Sequence, residues 1–101
     1  FLPHVMRFNL PTRTAEHARV AELLGADTKH LTTSAAANLA IEKVVELQRA
    51  LNIPQRLRDV GVTQEQLPIL ADRAMAIRRL LRLNPRPVSG EQVLGILNAV
   101  W

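Results

Sequence analysis

The sequence predicts an all-α fold, an antiparallel array of about five helices, and three observations carry that prediction. Apolar residues recur at helical spacing in two long stretches, Ala37, Ala40, Ile41, Val44, Leu47 and Leu51, then Leu67, Leu70, Ala74, Ile77 and Leu81. Aromatic residues make up only 3% of a chain that is 48% hydrophobic, so packing rests on Leu, Ile, Val and Ala, which suit helices better than a sandwich. Helix-start and helix-stop signals alternate along the chain with no convincing strand between them. A chain of 101 residues is one domain's worth and can hold one core.

The first helix falls in Phe1 to Asn9, where Phe1, Leu2, Val5, Met6 and Phe8 are too apolar for an uncovered terminus. It has no N-cap residue, and the chain does not open on methionine, so the expectation is a piece of a longer chain. Pro11 and Thr12 break the segment. Thr12 or Thr14 is then expected to cap a helix running to about Leu24, with Ala18, Ala21 and Leu24 inward and Val20 and Leu23 on the flank. Gly25 is its expected stop. After a polar connector, Thr32, Thr33 or Ser34 caps the third helix, whose far side carries Glu42, Glu46 and Arg49 as a solvated face.

A corner follows from Leu51 to Leu70. Asn52 and Pro54 stop the third helix, since proline lacks the amide a continuing helix needs and pushes its predecessor out of the α region. One short turn, Gln55 to Val60, points Leu57 and Val60 inward, and Gly61 allows a backbone turn that a side chain would resist. Thr63 and Gln66 form a capping box for the next helix, with Pro68 tolerated in its first turn. That helix is expected to run about four turns to Leu81, leaving Leu80 and Leu83 off its apolar stripe. Asn84, Pro85, Arg86 and Pro87 end it. Ser89 with Gln92 is a second capping box, opening a last helix that carries Val93, Ile96, Leu97, Val100 and Trp101. There is no internal repeat and no low-complexity segment.

Several function classes have little to stand on. There is no cysteine, which excludes disulfides and thiolate metal sites. No apolar run reaches the roughly 18 residues of a membrane span and no signal peptide opens the chain, so the expected location is the cytoplasm. His4, His17 and His30 are the only histidines, and their spacing matches no helical ligand pair. His4 is expected to be packed, and His17 and His30 to face solvent. Ser34 and Ser89 sit at helix starts, where capping accounts for them without nucleophilic chemistry. No glycine-rich loop follows a strand, so no phosphate cradle is visible. No residue is assigned a catalytic, cofactor-binding or metal-binding role.

The net charge of +4 is local, because Arg78, Arg79, Arg82 and Arg86 supply four charges and 4 − 4 leaves zero elsewhere. The contrasting functional reading is therefore an autonomous helical module binding nucleic acid or a protein through the Arg78 to Arg86 face. A helix-turn-helix needs a turn of three or four residues, whereas the corner from Leu51 to Thr63 is about a dozen long. Cations near a helix C-terminus also offset its dipole and stay solvated, which argues against the nucleic-acid version.

Taken together, LPHVMRFN at Leu2 to Asn9, LNIPQRLRDVGVTQEQLPIL at Leu51 to Leu70, LNPRPVSGEQVLGIL at Leu83 to Leu97 and the terminal AVW resemble the iron-dependent alcohol dehydrogenase family, over essentially the whole of residues 1–101. The resemblance implies an N-terminal domain that binds NAD(P) and a helical domain that supplies a divalent metal site, iron or zinc, with hydride moving in the cleft between them. In the family the metal is held by an aspartate and three histidines. The last of these lies in a Pro-His-Gly motif just upstream of the segment that FLPHVMRFN resembles, so His4 is not a carried-over ligand. The expectation is the C-terminal portion of the helical domain, with cofactor domain and metal ligands before Phe1, no cofactor held by this chain alone, and a tendency to self-associate. IRRLLRLNPR at Ile77 to Arg86 departs from relatives, which carry small, polar or acidic residues ahead of Asn-Pro-Arg.

Overall fold

Every regular element of the computed structural model, which describes residues 1–101, is helical. The chain forms two compact units, Phe1–Ile53 and Pro54–Trp101.

The first unit holds α1 (Leu2–Asn9), a 3-10 turn (Leu10–Thr12), α2 (Thr14–Leu23) and α3 (Thr33–Ala50). Both α1 and α2 pack on α3. The buried side chains of α2 and α3 are small: Ala21 on one, Ala36, Ala37 and Ala40 beside Ile41 on the other. Alanine at such a seam lets two backbones approach closely, so a short helix pair can be well packed with little apolar volume. The expected inward face of α2 is therefore wider than the real one. Ala21 is buried and Ala18 half-buried, while Val20, Leu23 and Leu24 are exposed.

The stripe on α3 is likewise covered only in part. Ala37, Ala40 and Ile41 are buried and Val44 half-buried, but Leu47 is 50% and Leu51 61% exposed. Eighteen residues make α3 about 27 Å long, whereas the ten of α2 span about 15 Å, so α2 flanks only part of its partner.

In the first unit, helix ends follow local chemistry with one correction. Neither Thr12 nor Thr14 caps α2. The Thr12 hydroxyl donates to the Asn9 carbonyl and that of Thr14 to the Leu10 carbonyl, both at 2.9 Å, and Arg13 is an N-cap with no side-chain bond. Both hydroxyls are taken up by carbonyls of the turn before them. Gly25, at φ +83°, closes α2 in a Schellman motif, its amide reaching Glu22 and that of Ala26 reaching Ala21. Thr32 caps α3 by accepting from the Ala35 amide at 3.1 Å. Asn52, at φ +55°, ends α3 with the same motif, its amide on Arg49 and that of Ile53 on Gln48.

The second unit begins with a 3-10 turn, Leu57–Val60, in which Leu57 is buried and Val60, contrary to expectation, exposed. Gly61 at φ +84° lets the chain leave that turn. The Gln66 side chain then accepts the Thr63 amide at 2.9 Å, completing the capping box over a 3-10 turn, Gln64–Gln66, that feeds α4 (Leu67–Ala76). After α4 come α5 (Arg78–Leu81) and α6 (Gly90–Val100). The Ser89–Gln92 box opens α6, with Gln92 amide to Ser89 Oγ at 3.2 Å and Ser89 amide to Gln92 Oε1 at 3.0 Å.

Leu57, Leu67, Ala71, Leu97 and Val100 form the core of this unit, with Val62, Val93, Leu94 and Trp101 packed around it. Complete burial of Leu67 alone contributes about 1.5–3 kcal/mol. The Met75 Cγ stands 3.7 Å from where a Cβ on Gly90 would lie, so the start of α6 lies level with the end of α4.

That level decides where α4 stops. The expected four-turn helix to Leu81 is interrupted at Ile77 (φ −83°, ψ 59°), although no proline or glycine marks the place. Helices in proteins are stabilised chiefly by packing of an apolar face, and beyond Ala76 the partner helix has no residues left to pack. Of the expected stripe, Leu67 is buried and Ala74 and Leu81 half-buried, whereas Leu70 and Ile77 are exposed, and Ala71, outside the expected stripe, is buried beside Leu67.

Candidate functional site

The three histidines do not converge. His4 is half-buried on α1 and His30 exposed in the connector after α2. His17, expected in solvent, is half-buried on α2, where its Nδ1 lies 2.7 Å from the Arg13 carbonyl oxygen one turn back. No group of three or more His, Cys, Asp or Glu side chains stands close enough to hold a metal ion. The donor set of this chain therefore does not by itself fit the iron or zinc that the sequence resemblance implies.

The two candidate serines differ. Ser89 Oγ is occupied as the cap of α6. Ser34 is not a cap: it lies inside α3, exposed, with its carbonyl oxygen accepting from the Asn38 side chain at 2.9 Å. Neither serine has a histidine as hydrogen-bond partner, so neither has the base that an activated nucleophile requires.

The arginine face does not form a continuous basic helix. The break at Ile77 leaves α5 as a single turn, with Arg78 and Arg79 in it and Arg82 as its C-cap. Cations so placed offset the partial negative charge of the helix end. Arg13–Glu16, Arg19–Glu22 and Lys43–Glu46 form ion pairs in the first unit.

One groove is formed by residues assigned to a solvated face. Between α1 and α3, Arg7, Ile41, Glu42, Val45, Glu46 and Arg49 line an open space of about 470 Å³. Glu46 is engaged by Lys43 Nζ at 2.8 Å. The groove offers an apolar floor with charges of both signs on its walls, and no histidine or hydroxyl nucleophile. Sequence spacing placed Glu42, Glu46 and Arg49 together, but the groove depends on Arg7 from another helix, which local spacing does not reveal.

Two carboxylates have shifted acidity. The Arg19 guanidinium and the Thr28 hydroxyl, both hydrogen-bonded to Glu22, hold its carboxyl below the usual carboxylate range. The Glu65 carboxyl is also lowered, by its own backbone amide and the Thr63 hydroxyl at the mouth of the capping box. Both are surface groups explained by helix-end chemistry.

Comparison with known proteins supplies what the geometry does not. The family model described as Fe-containing alcohol dehydrogenase, C-terminal, matches residues 1–101. The chain is 42% identical over 100 residues to the 1,3-propanediol dehydrogenase of Citrobacter freundii. It is 34% identical over 100 residues to the lactaldehyde reductase of Escherichia coli (strain K12). Each alignment covers 99% of this chain and 26% of the relative. The crystal structure of a 1,3-propanediol oxidoreductase matches 99% of the fold with a TM-score of 0.94 at 34% identity, again over 26% of that chain.

Proposed function

The chain belongs to the Fe-containing alcohol dehydrogenase family, matching its C-terminal part, and from that premise we propose that it is the final helical portion of a metal-dependent, NAD(P)-linked alcohol dehydrogenase or related reductase. The observation that carries this reading is end-to-end agreement with a 1,3-propanediol dehydrogenase, 42% identical across 99% of the chain. Interconversion of an alcohol and a carbonyl is the reaction class shared by the names of that relative and of the lactaldehyde reductase.

In this reading the chain contributes scaffold. Its partners are the rest of its own polypeptide, an N-terminal cofactor domain and the upstream helices that carry an aspartate and three histidines for iron or zinc. The location is the cytoplasm. No helix here is long and apolar enough to cross a membrane. The nucleic-acid alternative loses its main support, since the basic helix it requires is reduced to one turn.

The test begins with the coding sequence upstream of Phe1. It is expected to contain an Asp and a His four residues apart, then two further histidines, the last in Pro-His-Gly. The protein encoded by that frame, purified with iron or zinc, is expected to reduce NAD or NADP with a short alcohol and to lose that activity on chelation. A frame lacking these residues, or a metal-loaded protein inert towards alcohols and aldehydes with both cofactors, would sink the reading.

A further inference from the structure

We draw no further inference here: the strongest candidate, the open groove between α1 and α3 lined by Arg7, Ile41, Glu42, Val45, Glu46 and Arg49, carries nothing, because the chain spans 26% of the relatives it matches and nothing in the structure shows what covers that face.

Discussion

The indole Nε1 of Trp101 donates to the carbonyl oxygen of Val62 at 3.0 Å, joining residues 39 positions apart and fixing the end of α6 to the chain just after Gly61. The Arg58 guanidinium lies over the same ring, 5.6 Å from its centroid. Trp101→Phe keeps an aromatic body and leaves the Val62 carbonyl without its donor, so urea unfolding should report a loss of about 1–2 kcal/mol. Arg58→Ala should cost less, about 0.5–1 kcal/mol, because it removes only a solvent-exposed cation–π contact. Equal stability of the phenylalanine variant and the parent would show that the bond contributes nothing.

Two glycine-to-alanine changes should have opposite signs. Gly25 sits at φ +83°, so an alanine there is strained even though its Cβ would meet no atom within 4 Å, and the cost should be about 1 kcal/mol. Gly95 lies inside α6, has no positive φ, and a Cβ there also meets nothing within 4 Å. Gly95→Ala should therefore stabilise by about 0.5–1 kcal/mol through helix propensity. Thermal melts of the two variants shifting in the same direction would refute the distinction.

The same contrast between local and non-local causes explains what was legible in the sequence. Thr32, the Thr63–Gln66 and Ser89–Gln92 boxes, Gly25 and Gly61 act within four residues of themselves, and each appears where its local chemistry puts it. Thr12 and Thr14 mislead because a threonine oxygen can serve a following amide or donate to a preceding carbonyl, and neighbouring geometry decides. The break at Ile77 and the exposure of Leu47 and Leu51 have no local signal, since both depend on where a partner helix stops. The family was legible from motif order across the chain, because that signal is carried by the sequence itself and not by which side chains come together.

At the α2–α3 seam, the fully buried Ala21, Ala37 and Ala40 leave no room for added methylenes. Ala40→Leu should destabilise by about 1–3 kcal/mol through overpacking. Ile41→Ala, which empties the largest buried side chain of α3, should cost about 2–5 kcal/mol. Chemical denaturation that left Ala40→Leu as stable as the parent would mean that the two helices are not in close contact there.

Glu22 provides a pH-dependent element. Its folded acidity is increased by the Arg19 and Thr28 hydrogen bonds, so its carboxylate favours the fold above the ordinary glutamate range. That contribution is lost as pH falls below this range through the lowered folded value. The Glu22 side-chain carboxyl carbon should titrate in NMR below a free glutamate, and Arg19→Ala should move its midpoint upward. A midpoint unchanged by that substitution would assign the shift to another cause.

The exposed aliphatic surface of the first unit gives a prediction for the 101-residue chain on its own. Phe1 and Leu2 on one helix, and Leu47 and Leu51 at the uncovered end of another, are each at least half exposed. Large apolar side chains left open in this way favour association, because pairing removes them from water at about 25 cal/mol per Å². Sedimentation of the isolated chain should therefore show mass rising with concentration above the 11.3 kDa of a monomer. Leu47→Ser with Leu51→Ser should return it towards monomer, and each substitution should change folding stability by no more than about 0.5 kcal/mol, since neither side chain belongs to the core. The rise in mass should also survive high salt, which screens charge but strengthens apolar contact. A monomer at every concentration and salt would mean that these side chains are too dispersed to act as one surface.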